Sequence, residues 1–330
     1  MKNFTLNLTN DSVTLTAYLL DNSPELSNTS IRPAIIIMPG GGYYACSDRE
    51  AEPVAMAFLA EGYQSFILRY SVKENAAFPK PLNDAEEALE LIRNNSGEWG
   101  IDPDKIAACG FSAGGHLAAA VGTMGRVKPN ALILGYPAIL SNMGRYLPAP
   151  IPGVNEYVDA TTPPTFIFHT FSDATVPLSN PLAFAAALNE ARIPFEMHVF
   201  KNGAHGLSLA KPLSSNGLKK LVDSDAAKWF SLSVSWLKNV FGEFASDAEP
   251  QLADHITEHN VDVQLGVLWR NPECKALLQS MMPALEESPL LEEAMFLPLR
   301  ILVNFDETLL PKASMPLLDQ QLKAIPVGQS

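Results

Sequence analysis

Residues 106–119 read IAACGFSAGGHLAA, and this stretch decides the fold. Its apolar first part predicts a buried strand over 105–109, and the small residues that follow predict a helix over 113–121. Between them, Gly110 to Gly114 form a GxSxG sequence. A serine at such a strand-turn-helix junction has a strained backbone and an exposed hydroxyl, as a nucleophile requires. We therefore predict that Ser112 is a nucleophile; the alternative is an ordinary glycine-rich turn.

The segments around this stretch alternate between strand and helix patterns. Strands are predicted over residues 3–8, 13–20, 34–38, 64–72, 131–136, 164–169 and 195–200, and helices over 82–93, 182–191 and 217–241. The run over 34–38 is continuously apolar, which is typical of a strand buried on both faces. This alternation predicts an α/β fold, in which a mostly parallel sheet lies between helices and functional groups gather at the carboxyl ends of the strands.

A glycine loop, Pro39-Gly40-Gly41-Gly42-Tyr43, follows the first buried strand. Glycines let backbone amides approach a substrate, and one amide that binds a developing oxyanion contributes about 3 kcal/mol to transition-state stabilisation. We expect the amides of Gly41, Gly42 and Ala113 to form such an oxyanion hole. A flexible turn and a phosphate loop are the alternatives, but a phosphate loop needs a Lys or a GxGxxG register, and both are missing here.

A general base is expected late in the chain, on a loop that follows a strand. His205 meets this condition, because Gly203-Ala204-His205-Gly206 comes directly after the strand-like segment 195–202. The other histidines fit less well, since two lie within predicted strands, one lies four residues past the serine on its helix, and two belong to the C-terminal tail. These five are His169, His198, His116, His255 and His259.

The acid that orients the base is expected between nucleophile and base, after the preceding strand. Asp173 occupies this place, because the strand 164–169 runs into Thr170-Phe171-Ser172-Asp173. A buried carboxylate there holds the imidazole in the required tautomer and stabilises its protonated form. Asp159 and Asp102 are the alternatives, but neither follows the right strand.

Four motifs in residues 32–242 together resemble one known family. They are PGGGY at 39–43, DPDKIAACGFSAGGHLAA at 102–119, PPTFIFHTFSDATVP at 163–177 and FEMHVFKNGAHGLSLA at 195–210. The segment is similar to the acetylesterase and acetylxylan-esterase-like branch of the α/β-hydrolase superfamily, which is related to the hormone-sensitive-lipase-like esterases. The resemblance implies a serine triad that needs no metal and no other cofactor. It also implies removal of short acyl groups, often acetyl, from sugars or xylo-oligosaccharides.

Two departures from the relatives concern the site. Lipase-like relatives have a His before the three glycines, whereas this chain has Pro39, so the loop must be braced in another way. The segment 140–162, where such enzymes often carry a longer cap, is short and proline-rich, which suggests a shallow acyl site that favours acetyl. For the substrate pocket we name Tyr43, Tyr44 and Val176.

Composition changes after about residue 242. The segment 243–330 holds 14 acidic and 5 basic residues and carries most of the net charge of −13. We predict a catalytic domain over 1–242 and an acidic helical module over 243–330, with helix starts at Asn271-Pro272-Glu273 and Ser288-Pro289. The module has no assigned role: packing, homo-oligomerisation and partner docking all stay open. An HxxEH pattern at 255–259 resembles a zinc-peptidase motif, but the segment is too short for such a domain, and we predict no metal.

Net charge, cysteine content and hydropathy limit the kinds of molecule that this protein can bind. The acidic charge argues against a nucleic-acid partner and favours a substrate that is neutral or cationic, or whose charge lies far from the site. The partner that we predict is a small-molecule ester. Three cysteines cannot all pair within the chain and have no zinc spacing. No segment is apolar enough for a membrane span, so we expect no membrane partner and a cytoplasmic location, unless a signal was removed before this numbering begins. A serine peptidase and a non-catalytic binding protein of the same fold remain the rival functions.

Overall fold

A single sheet of eight strands organises the N-terminal part of the computed structural model, which describes residues 1–246, 252–253, 255–288, 291–305 and 307–327. The strands are β1 Lys2–Asn7, β2 Thr14–Leu19, β3 Arg32–Met38, β4 Gln64–Arg69, β5 Ile101–Phe111, β6 Ala131–Gly135, β7 Thr165–Thr170 and β8 Phe195–Phe200. Their order across the sheet is β1-β2-β4-β3-β5-β6-β7-β8. The pairs β1/β2 and β2/β4 are antiparallel and the others parallel, so the predicted fold class is confirmed.

Helices cover both faces of this sheet. They are α1 Glu52–Ala60, α2 Lys80–Asn94, α3 Ser96–Trp99, α4 Ala113–Thr123, α5 Ser179–Glu190 and α6 Lys228–Phe241. Successive side chains of β3 point to opposite faces. Ile36 therefore packs in one apolar cluster with Leu117 of α4, and Ile35 packs in another with Trp229 of α6. Because both faces are buried, the central strands contain continuous apolar runs, such as 34–38 in β3 and 106–109 in β5.

The topology brings the ends of five strands to one edge of the sheet. Strands β3, β5, β6, β7 and β8 run parallel, so their carboxyl ends lie side by side. The glycine loop follows β3, Ser112 follows β5, Tyr136 follows β6, Asp173 follows β7 and His205 follows β8. This edge is therefore where a functional site is expected.

The helix predicted over 217–241 is shorter than expected, and the prediction was wrong for 217–227. Gly217 has a positive φ of 73°, and Lys219–Leu221 forms only a short 3₁₀ turn. The Asp223 carboxylate then accepts hydrogen bonds from the amides of Asp225 (3.0 Å) and Ala226 (2.8 Å). Accepting the amides two and three residues further on is helix-capping geometry, so no helix extends through Asp223, and α6 itself begins at Lys228.

Sequence analysis missed α1. Its residues Val54, Ala55, Phe58 and Leu59 are all buried, so the helix shows little amphipathic periodicity. A proline in its first turn and Gly62 shortly after its end are nevertheless a recognisable start and stop signal.

The chain divides into two compact units, Met1–Ala245 and Ser246–Ser330. Helices of the second unit are α7 Leu265–Arg270, α8 Pro272–Met281, α9 Leu291–Ala294, α10 Leu299–Phe305 and α11 Met315–Lys323. They bury their own apolar cluster, which includes Leu268, Leu278 and Leu318. As predicted, a helix starts at 271–273, because the Asn271 side chain accepts the amide hydrogens of Glu273 and Cys274. The other predicted start, at Ser288-Pro289, is not tested, because Pro289 lies outside the described residues.

Two absences concern only the part of the chain that the structure describes. Within it, no helix is both long and apolar enough to cross a bilayer. Within it too, no group of three or more metal-binding side chains is arranged around a common point. The residues of the HxxEH pattern are not helical, and the Nδ1 of His259 donates to the carbonyl of Ile325 (3.0 Å).

Candidate active site

Ser112 lies in a sharp turn between β5 and α4. Its backbone angles are φ 52° and ψ −116°, which an L-residue adopts only when the surroundings enforce it. The Ser112 amide donates to the carbonyl of Gly135 (3.0 Å), and the Ser112 carbonyl accepts from the amides of His116 (3.0 Å) and Ala138 (3.1 Å). A Cβ on Gly114 would lie 2.0 Å from the carbonyl oxygen of Met38, so the GxSxG glycine there permits close packing of helix on strand.

The structure brings Ser112, His205 and Asp173 together in one chain of hydrogen bonds. The Nε2 of His205 lies 2.8 Å from the Oγ of Ser112, and its Nδ1 lies 2.7 Å from the Oδ2 of Asp173. An ionised carboxylate only accepts, so Nδ1 carries the proton and donates to Asp173. Nε2 is then unprotonated and accepts the hydrogen bond from the serine hydroxyl. This arrangement can remove the proton of Ser112.

Asp173 is held as a carboxylate. Its Oδ1 accepts the amide hydrogens of Thr175 (2.8 Å) and Val176 (3.0 Å). Burial by itself would raise the pKa of Asp173, but the hydrogen bond from His205 and those from the two amides more than offset it. The pKa of Asp173 therefore lies below its ordinary value, and the group is ionised at neutral pH.

A second histidine lies against the Asp173 loop. His169 is fully buried, and its Nε2 donates to the carbonyl of Val176 (3.0 Å). Burial lowers the pKa of His169, so the ring is neutral at neutral pH. Its Nε2 is 3.9 Å from the Oδ2 of Asp173, beyond hydrogen-bond distance. His169 lies within β7, as the sequence predicted, and its side chain is part of the buried core.

The glycine loop contributes Gly41 and Gly42 to the cleft that holds Ser112. Gly41 has a φ of 134°, a conformation that a side chain would not tolerate, and Gly42 has a φ of 62°. Within the described residues, neither amide donates a hydrogen bond to the protein. Gly41, Gly42 and Ala113 line the same cleft as Ser112. Their amides are therefore available for a negatively charged oxygen beside the serine.

Glu50 braces this loop, and sequence reasoning missed it. Its carboxylate accepts the amide hydrogen of Gly40 (2.7 Å) on one oxygen and the hydroxyl hydrogen of Tyr136 (2.6 Å) on the other. The hydroxyl of Tyr70 also donates to the carbonyl of Pro39 (2.6 Å). The loop that lacks a preceding histidine is thus held by a buried acid and two tyrosines. No motif singles out Glu50, since an acid in a polar turn ordinarily faces solvent.

The cleft above Ser112 has a volume of about 640 Å³. Of the three residues predicted for the pocket, Tyr44 and Val176 lie in its walls, but Tyr43 does not. The prediction for Tyr43 was wrong because its positive φ of 56° places a fully buried side chain behind the glycine loop. There its hydroxyl donates to the Nδ1 of His116 (2.9 Å).

His116 packs behind the glycine loop and makes two hydrogen bonds there. Its Nε2 donates to the carbonyl of Pro152 (2.9 Å), so its Nδ1 is the acceptor for Tyr43. Burial lowers the pKa of His116 to about 4, although the bond to Pro152 opposes this shift. The ring is therefore neutral at neutral pH and links the glycine loop to the segment after β6.

Comparison with known proteins supports an esterase family. Two family models match, BD-FAE over residues 22–132 and the prolyl oligopeptidase family over residues 148–243. An acetylxylan esterase of Xylanibacter ruminicola is 28% identical, over 62% of this chain and 46% of the relative. The chain spans between 33% and 51% of the length of the first curated relatives it matches.

Two solved structures match this chain over most of their own length. An alpha/beta hydrolase enzyme, MGS-M1, from a Medee basin deep-sea metagenome library is 52% identical, with a TM-score of 0.70 over 73% of this chain and 98% of that one. An acetyl ester-xyloside bifunctional hydrolase from Caldicellulosiruptor lactoaceticus is 35% identical, with a TM-score of 0.60 over 70% of this chain and 89% of that one.

Proposed function

This chain belongs to the esterase branch of the α/β-hydrolase superfamily, and from that membership we propose that it is a serine carboxylesterase that removes short acyl groups, above all acetyl, from small or carbohydrate esters. The strongest support is the pair of hydrogen bonds, 2.8 Å and 2.7 Å, that joins Ser112 to His205 and His205 to Asp173. The residues of the proposed catalytic machinery all fall within the proposed catalytic domain, 1–242.

The proposed reaction has two stages. His205 accepts the Ser112 proton at Nε2 while the serine oxygen attacks the ester carbonyl carbon. The carbonyl oxygen becomes negative and binds the amides of Gly41, Gly42 and Ala113. The intermediate then expels the alcohol, which takes the proton from His205 and leaves an acyl-enzyme. Water loses a proton to His205 and attacks the acyl carbon. The second intermediate then expels the Ser112 oxygen, which takes this proton back from His205, and the carboxylic acid is released.

We propose that the acyl group is short because the cleft would bury little of a long acyl chain. Its apolar walls include Met143 and Leu147, but Tyr44 and Tyr146 at the same cleft are more than half exposed. Full burial would add about 0.8 kcal/mol of binding for each CH₂ group, which would make octanoyl esters much better substrates. We expect a higher kcat/KM for p-nitrophenyl acetate than for p-nitrophenyl octanoate, and acetate release from acetylated xylo-oligosaccharides. Faster hydrolysis of the octanoate would contradict the preference.

Two exposed tyrosines are proposed to hold the sugar. Tyr44 and Tyr146 line the cleft and are 54% and 59% exposed, and the Arg145 guanidinium lies 4.6 Å from the centre of the Tyr146 ring. Exposed aromatic faces stack on the C–H faces of sugar rings, and such contacts contribute on the order of 1 kcal/mol each.

Replacing both tyrosines by alanine is expected to raise KM for acetylated xylo-oligosaccharides about 10-fold or more, since two such contacts are lost. Hydrolysis of p-nitrophenyl acetate, which has no sugar, is expected to stay within about 3-fold. The matched control is Tyr157→Ala, because Tyr157 is 47% exposed but is not a cleft residue. An equal loss on both substrates, or none on the oligosaccharide, would argue against sugar stacking.

A serine peptidase is the second candidate, because the prolyl oligopeptidase model matches residues 148–243, the segment that carries Asp173 and His205. The same triad can cleave amides. Comparing acetylated xylo-oligosaccharides with aminoacyl-amide substrates decides between the two. Amide turnover that exceeds ester turnover would favour the peptidase.

A further inference from the structure

A short 3₁₀ turn, Asp48–Glu50, lies between the two loops that flank Ser112. On one side, Glu50 binds the glycine loop through the Gly40 amide (2.7 Å). On the other side, the Nη1 of Arg49 donates to the carbonyl of Gly206 (2.7 Å), the residue that follows His205. One turn of chain thus contacts both the oxyanion loop and the histidine loop.

Tyr136, which directly follows β6, also links the Asp48–Glu50 turn to the histidine loop. Its hydroxyl donates to Glu50 (2.6 Å) and accepts the amide hydrogen of Ser208 (2.8 Å). The Oγ of Ser208 in turn donates to the carbonyl of Arg49 (2.5 Å). The Tyr136 ring also packs edge-on against the His205 ring, with centroids 5.1 Å apart. Both Glu50 oxygens and the hydroxyls of Tyr136 and Ser208 have partners, so the circuit fixes one geometry.

We propose that Glu50 is a positioning residue for the hydrolytic reaction, which holds the oxyanion loop and, through Tyr136, the histidine loop at the correct spacing around Ser112. This inference rests on the proposed esterase function. The Glu50 side chain is only 2% exposed, and both of its oxygens are used by these two donors. Glu50 borders the cleft, but Gly40 and Tyr136 occupy both of its oxygens, so its effect passes through these two residues.

The expected effect follows from how steeply catalysis depends on placement. A displacement of about 1 Å in a catalytic group can reduce the rate about 100-fold. Glutamine at position 50 keeps one acceptor oxygen, but its NH₂ group faces either the Gly40 amide or the Tyr136 hydroxyl, and one donor loses its acceptor. Phenylalanine at position 136 keeps the ring beside His205 and removes only the hydroxyl.

The test compares Glu50→Gln, Tyr136→Phe and a matched control, Glu86→Gln. Glu86 is also a buried acid that accepts a backbone amide, that of Arg126 (2.6 Å), but it is not a cleft residue. With p-nitrophenyl acetate at 25 °C we expect kcat to fall about 30-fold in Glu50→Gln and about 10-fold in Tyr136→Phe, with KM within about 3-fold. Fluorophosphonate labelling of Ser112 should slow in parallel, and Glu86→Gln should keep kcat within about 2-fold.

Thermal unfolding separates positioning from stability alone. A variant that unfolds at lower temperature but has wild-type kcat when folded would overturn the proposal, and so would an increase in kcat. If Glu50→Gln does not fold, Tyr136→Phe decides in the same way. A wild-type protein that neither hydrolyses esters nor reacts with the fluorophosphonate would instead reject the esterase function.

Discussion

Replacing Ser112 with alanine is expected to lower kcat for p-nitrophenyl acetate by on the order of 10⁵-fold or more, because no acyl-enzyme can form without the hydroxyl. The remaining rate would come from the oxyanion amides and substrate binding alone. The fold should persist, because the hydrogen bonds that hold the turn use the Ser112 backbone, which binds Gly135, His116 and Ala138. We expect an unfolding temperature within a few degrees of the wild type.

The measurement needs a second readout besides rate, because a trace of a contaminating esterase can mimic residual activity. Covalent labelling by a fluorophosphonate should occur in the wild type and disappear in Ser112→Ala. Undiminished turnover in a pure, folded variant would remove Ser112 from the mechanism. Absence of labelling in both proteins would favour a non-catalytic protein on this fold.

Most of the sheet could be predicted from local pattern. The segment 195–200 is a strand with the predicted bounds, and the bounds of β3, β6 and β7 lie within two residues of the predicted ones. Strand β5 is longer than the predicted 105–109, since it runs from Ile101 to Phe111. A parallel sheet aligns the carboxyl ends of its strands. The order of the motifs along the chain, each of them directly after a predicted strand, was therefore enough to select Ser112, Asp173 and His205. The structure brings these three side chains within hydrogen-bond distance.

What could not be predicted depends on tertiary packing. Tyr43 comes directly after the three glycines and was predicted to line the substrate pocket, but its backbone turns the side chain inward. Glu50 lies in a polar turn, and its burial results from Gly40 and from Tyr136, which is 86 residues away. The partners of a buried acid are set by the fold, so no local pattern predicts them.

Asparagine at position 173 is expected to lower kcat about 10⁴-fold while KM changes little. The amides of Thr175 and Val176 already donate to one carboxylate oxygen, so the asparagine oxygen should take that place. Its NH₂ group then faces the Nδ1 of His205, which must become an acceptor. The proton moves to Nε2, and the ring can no longer accept the proton of Ser112. The substitution changes the tautomer without removing the imidazole.

The pKa of Asp173 defines the conditions for this test. Because that pKa is held below the ordinary value of 3.8, its ionised form stabilises the fold above this pH, and the stabilisation is lost only as pH falls further. Assays between pH 6 and 9 therefore compare a full carboxylate with a neutral amide. Asp159→Asn is the control, since Asp159 is exposed and pairs with Lys128. If Asp173→Asn kept a tenth of the activity, or if the control lost as much, Asp173 would not be the orienting acid.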